Sequence, residues 1–91
     1  MTSHNHLRIG VVAIIIYDPN NAYKAINDIL HNYSSLIIGR LGLPYRERNL
    51  AIISIIVEGT TDEIGALTGK IGQISGTTVK TAFAKDLPPQ N

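Results

Sequence analysis

Residues 49–59, NLAIISIIVEG, place Leu50, Ile52 and Ile56 on one side of an extended chain and Ala51, Ile53, Ile55 and Val57 on the other. Ser54 is the only polar interruption before Glu58. A strand wetted on one face alternates apolar with polar residues, so this one expects cover on both faces and a central place in its sheet. Its β-branched content, and its bounds at Gly59 and at the polar segment 45–49, favour strand over helix. Residues 7–17, LRIGVVAIIIY, repeat the pattern beyond Gly10, with Val11, Ala13 and Ile15 set against Val12, Ile14 and Ile16. The chain therefore carries two central strands.

The segments between and around them read as two helices and two weaker strands. Asp18 suits an N-cap and Pro19 the first helical position, where a missing N–H costs nothing. Ala22, Ile26, Ile29, Leu30 and Tyr33 then recur at helical spacing, which predicts a helix over 19–32. Residues 34–43, SSLIIGRLGL, read as a strand in which Gly39 and Gly42 suggest a bulge or bend, fitting an edge. Residues 44–49 make a polar hairpin into the central strand. Thr60-Thr61-Asp62-Glu63 has the form of a capping box, and Ile64, Leu67, Ile71 and Ile74 mark a buried stripe. That predicts a second helix over 61–75, with Gly76 as a left-handed cap. Residues 77–85 alternate as an edge strand would. Residues 1–6 and 86–91 read as flexible tails around one domain over 7–85.

Strand, helix, strand, strand, helix, strand, with the first and third strands apolar throughout, predicts an α+β, ferredoxin-like βαββαβ fold: a four-stranded antiparallel sheet with both helices on one face. The sheet's other face is then uncovered by the chain itself. Burying a Val or Ile side chain is worth roughly 1.5–3 kcal/mol, so that face expects a cover, most simply another copy of the chain. Both faces of residues 50–57 are apolar and the sequence does not choose between them. The interface residues we expect are Ile53 and Ile55, together with Gly65, Gly69 and Gly72 on the second helix. Glycine there costs about 1 kcal/mol each relative to Ala, which close approach by another backbone or a ligand would explain; simple tolerance of an exposed helix face is the alternative.

Composition narrows the chemistry. With 8 basic and 7 acidic residues among 91, the formal charge is +1, so no global field holds a nucleic acid or an anionic membrane. The longest early apolar run, residues 11–16, is too short to span a bilayer, and Tyr17-Asp18-Pro19 follows it in place of a small-residue cleavage site. A cytoplasmic protein is expected. There is no cysteine, hence no disulfide, thiolate metal site or cysteine nucleophile. His4 and His6 form an H-x-H pair without a third ligand nearby, and His31 suits a helix C-terminus; no metal and no other cofactor is expected. No base or nucleophile has an evident partner, so no catalytic residues are assigned and the chain is read as a non-enzyme. The candidate ligand site is Arg40, Arg46 and Arg48 with Tyr45, because guanidinium forks suit carboxylate or phosphate. Three arginines splayed into water, paired with Glu47 and neighbours, is the alternative.

The segments HNYSSLIIGRLGLPYRE, NLAIISIIVEGTTDEIGALTGKIGQISG and VKTA resemble the proteins described as iron-only hydrogenase system regulators, a group similar to ACT domains and to the C-terminal domain of the nickel-responsive repressor. The resemblance covers residues 7–85. It implies a ferredoxin-like regulatory domain assembling as dimers or tetramers. The repressor's metal site uses histidines and a cysteine, which this chain lacks. The first strand-to-helix loop, Tyr17-Asp18-Pro19-Asn20, has no glycine of the kind that lets an amino acid approach the backbone in ligand-binding ACT domains. Only six residues precede the first strand, too few for a ribbon-helix-helix arm, so no direct DNA binding is expected and regulation would run through a protein partner. The reading is a small, oligomeric regulatory or sensing domain that regulates an iron-only hydrogenase system through self-assembly and binding of a small anionic metabolite. A small enzyme on a dimeric ferredoxin-like scaffold is the alternative. RNA binding on the open face would need aromatic platforms where this chain has aliphatics.

Overall fold

A computed structural model describes residues 6–85; the tails expected at 1–6 and 86–91 lie, but for His6, outside the described residues. In chain order the elements are β1 (Arg8–Tyr17), α1 (Pro19–Asn32), a 3-10 turn (Ser34–Leu36), β2 (Ile37–Tyr45), a second 3-10 turn (Arg46–Arg48), β3 (Leu50–Gly59), α2 (Thr61–Gly72) and β4 (Thr77–Phe83). The sheet is antiparallel in the order β2-β3-β1-β4, so the two strands apolar on both faces are central and the mixed ones are edges. This is the ferredoxin-like βαββαβ arrangement.

Both helices pack on one face. Val12, Ile14 and Ile16 of β1 and Ala51, Ile53, Ile55 and Val57 of β3 meet Ala22, Ile26 and Leu30 of α1 and Ile64, Leu67 and Ile71 of α2 in one buried core. The opposite face stays open. There the cross-strand rows read Gly39–Ile56–Val11–Ala82, Leu41–Ser54–Ala13–Lys80, Leu43–Ile52–Ile15–Thr78 and Tyr45–Leu50–Tyr17 across β2, β3, β1 and β4.

Local chemistry follows the sequence in most places. The Thr60–Glu63 capping box is formed, with the Thr60 N–H donating to Glu63 Oε1 at 2.8 Å and the Glu63 N–H to Thr60 Oγ1 at 3.1 Å. Phe83 lies against Gly10, where an added Cβ would meet its ring at 3.4 Å, and the Arg8 guanidinium stacks 4.0 Å from the centre of that ring. The bulge expected in the glycine-containing edge strand falls between Ile37 and Gly39.

Four expectations are corrected. Asp18 takes the N-cap position in a left-handed conformation, φ 56°, where its carboxylate accepts from the Asn21 side-chain amide at 2.6 Å and makes no capping bond to a helical N–H. The segment 34–36 is a 3-10 turn that tucks Leu36 into the core, and β2 begins only at Ile37. Helix α2 ends at Gly72, because Gln73 and Ile74 tighten into shorter-range bonds to Lys70 and Ile71. Gly76 is left-handed as expected, φ 76°, but it serves the turn into β4: its carbonyl accepts from the Tyr17 N–H at 2.7 Å.

Candidate functional site

The end of the sheet where β1 runs into α1 and β2 turns into β3 is built by two residues in an unusual backbone state. Asp18 and Asn49 are the non-glycine residues with positive φ among those described, and the Asp18 N–H donates to the Asn49 carbonyl at 3.2 Å. Asn and Asp tolerate that conformation better than other side chains do. The bond ties the β1–α1 junction to the hairpin tip. Beside it lies a cavity of about 340 Å³ lined by Pro19, Asn20 and Tyr23 of α1, by Pro44, Arg46 and Asn49 of the hairpin, and by Leu50 and Ala51 at the start of β3. No carboxylate lines it. Such a wall, apolar with two amides and one cation, suits a small anion with an apolar body.

A second hollow of about 350 Å³ lies farther along α1, with Asn27, His31, Ser34 and Arg40 on its wall. Its cation is already engaged: the Arg40 guanidinium donates to Asn27 Oδ1 at 2.8 Å. The guanidinium groups of Arg46 and Arg48, by contrast, have no hydrogen-bond or ion-pair partner among the described residues, where Lys24–Asp28 at 3.0 Å is the only salt bridge.

The expected arginine site is thus divided. Arg40 sits on the helix side of β2, opposite the buried Ile55, and Tyr45 on the open side, opposite Leu50. Five strand steps at about 3.3 Å each carry β2 from Arg40 to Tyr45, and Arg46 follows in the turn, so the two arginines stand roughly 15–20 Å apart along the chain, too far for one fork. Arg48 lies exposed in the hairpin turn and does not line the cavity. Of the four residues, Arg46 alone reaches it. The split was readable as parity, since Arg40 and Tyr45 differ by an odd number of positions along a strand. Tyr23, Asn20 and Asn49 escaped sequence reading, because nothing local marks the approach of a helix to a hairpin tip.

The expected interface residues are placed as follows. Ile53 and Ile55 lie under the helices at 1% and 0% exposure, in the chain's own core, so they cannot face a partner. The residues beside them, Ile52 and Ile56, occupy the open face, with Ile56 43% exposed. The reason is that both alternations of β3 are apolar, and only the side taken by α1 and α2 distinguishes them. Gly65, Gly69 and Gly72 are exposed, and a Cβ on any of them would meet nothing within 4 Å, so nothing among the described residues approaches that face of α2 closely. His4 lies outside the described residues, and among those described no three His, Cys, Asp or Glu side chains gather as a metal site. No helix among the described residues is long and apolar enough to cross a membrane, which leaves β-barrels unaddressed.

Residues 8–81 match the TM1266-like family, described as "Iron-only hydrogenase system regulator, putative". The uncharacterized protein TM1266 of Thermotoga maritima superposes with a TM-score of 0.85 at 45% identity, over 88% of this chain and 100% of that one. A "Putative nickel-responsive regulator" of Saccharolobus islandicus is 37% identical over 62 residues, 68% of this chain and 46% of its own length. The protein of the same description from Saccharolobus solfataricus is 33% identical over 72 residues, 79% of this chain and 53% of its own. The chain thus spans about half the length of the curated relatives it matches. The apo form of CPII from Thiomonas intermedia K12, a nitrogen regulatory PII-like protein, shares the fold at TM-score 0.54 and 15% identity, over 92% of this chain and 98% of that one.

Proposed function

Because the chain belongs to the TM1266-like family, we propose that it is a small regulatory protein that works as a homo-oligomer, a dimer or tetramer, assembled through the open face of its sheet. One observation carries this reading. Leu41 at 71%, Leu43 at 53% and Ile56 at 43% exposure stand on the same face as Val11, Ile15 and Ile52. Each such side chain left in water forgoes roughly 1.5–3 kcal/mol of burial. The regulated process is the iron-only hydrogenase system of the family's description, reached through a protein partner. The regulator descriptions of family and relatives favour this over a small enzyme.

Size-exclusion chromatography with light scattering tests the assembly. The wild-type chain should elute as an oligomer at micromolar concentration, and Ile56→Asp should yield a smaller, folded species, since the charge would be buried only between chains. A wild-type monomer would overturn the reading.

The free Arg46 at the edge of the 340 Å³ cavity supports a second element, binding of a small anionic metabolite. CPII is bound to ADP, AMP and bicarbonate in one of its structures, which sets a panel of probes to extend with acetate and phosphate. A ligand at a hundredfold excess over Kd stabilises by roughly 2.7 kcal/mol. A thermal shift produced by one of these anions should vanish in Arg46→Gln and persist in Arg40→Gln. No shift with any of them, or one that survives Arg46→Gln, would remove the cavity from consideration.

A further inference from the structure

The two edges of the sheet differ. β2 carries a bulge between Ile37 and Gly39, a second glycine at Gly42, and Pro44, which has no N–H to offer. Such features blunt an edge against further pairing. β4 has none of them. Its seven residues, TTVKTAF, pair with β1 in one unbroken register and are rich in β-branched side chains.

Two bonds at the ends of that ladder fix which backbone groups β4 turns outward. The Tyr17 N–H donates to the Gly76 carbonyl at 2.7 Å, and the Ala84 N–H donates to the Ile9 carbonyl at 2.9 Å. In an antiparallel ladder the directly bonded pairs recur at every second residue, so Thr78, Lys80 and Ala82 turn their N–H and C=O groups toward β1. Thr77, Val79, Thr81 and Phe83 therefore direct theirs away from the sheet, and no strand among the described residues pairs with them. The side chains of these four lie on the helix side, opposite Ile16, Ile14, Val12 and Gly10. Lys80 carries the strand's one charge, on the open side opposite Ala13.

We infer that the outer edge of β4 docks an extended segment of a partner protein, which joins the sheet as a fifth strand and sets an acidic residue opposite Lys80. The inference rests on the reading that regulation runs through a protein partner, and it names the surface and the chemistry of that contact. A second copy of this chain does not fit the edge. In full antiparallel overlap its β4 would set Lys80 against Lys80, in the close kind of pair that shares no hydrogen bond, where like charges repel. Its β2 is interrupted and brings Arg40. An acidic segment answers the charge: residues 77–85 hold Lys80 and Lys85 and no acid, and the Arg8 guanidinium lies over the Phe83 ring. None of these three cations has a salt bridge among the described residues. The partner residues on either side of the acid, opposite Val79 and Thr81, fall on the helix side. There, apolar or β-branched side chains would extend the row that Val79 packs onto the core. The segment recognised is thus one that alternates apolar with acidic residues.

Two peptides of the strand's length serve as probes of the full chain, one alternating valine with glutamate and one valine with lysine. In amide hydrogen exchange followed by NMR, Thr77, Val79, Thr81 and Phe83 should exchange freely in the protein alone and slow when the glutamate peptide is added. Thr78, Lys80 and Ala82 should be protected throughout. By fluorescence anisotropy the lysine peptide should bind roughly tenfold more weakly, and Lys80→Glu should invert that order. Thr81→Pro removes an outward N–H and leaves the bonds to β1, so it should fold and lose the peptide. If it does not fold, the inversion by Lys80→Glu, at an exposed side chain, reads the same edge. Equal binding of the two peptides, or outward amides that do not slow, overturns the inference. So do outward amides already protected in the protein alone, since the edge is then occupied by the chain or its copy. Failure of the partner reading looks different. If wild type isolated from its own cell carries no second polypeptide by native mass spectrometry, that reading falls and this inference with it, whereas a second polypeptide that Thr81→Pro retains leaves the partner standing and refutes the edge.

Discussion

Gly69→Ala asks whether anything packs on the outer face of α2. Gly69 lies in the helix interior, exposed, with helical backbone and no atom within 4 Å of an added Cβ. Nothing among the described residues then opposes the change in intrinsic helix propensity, about 0.8–1.0 kcal/mol in favour of Ala. For a domain of this size 1 kcal/mol moves the melting temperature by roughly 4–8 °C, so a rise of that order is expected. Gly72 is the last residue of the helix, where the same substitution gains less. Thermal melts followed by circular dichroism, paired with native mass spectra of wild type and variant, read stability and assembly together. A lower melting temperature or a changed oligomer would refute the reasoning, because only a neighbouring chain against the glycines could convert the added methyl into a clash.

Gly76→Ala should act in the opposite direction. The left-handed backbone costs an L residue about 1–2 kcal/mol, and the new Cβ would stand 3.1 Å from the Tyr17 carbonyl, so chemical denaturation should show a loss of at least that size. Thr60→Ala removes one half of the α2 capping box and should cost about 0.5–2 kcal/mol in the same assay, with the slope against denaturant unchanged.

Much of the fold was legible because its signals are local. Strand against helix was decided by the period of the apolar residues, and central against edge by whether both alternations or only one were apolar. Pro19 marked the start of α1, and the Thr60–Glu63 pair the start of α2. What was misread depends on long-range placement. Ile53 and Ile55 differ from Ile52 and Ile56 only in which side the helices took. Arg40 and Arg46 look like neighbours along the chain, yet strand rise sets them at different hollows. The cavity at the hairpin tip exists because Asp18 and Asn49 adopt left-handed backbones that meet across two loops.

The division has one physical cause. Hydrophobic periodicity and capping act between residues a few positions apart, so composition and spacing alone determined two central strands, two helices and their order in the sheet. The open face, the separation of the arginines and the wall around Arg46 arise from pairings such as Val11 with Ile56 and Asp18 with Asn49, made between segments far apart in the chain. Those pairings are chosen by how the crossovers pack, and only the tertiary structure decided them.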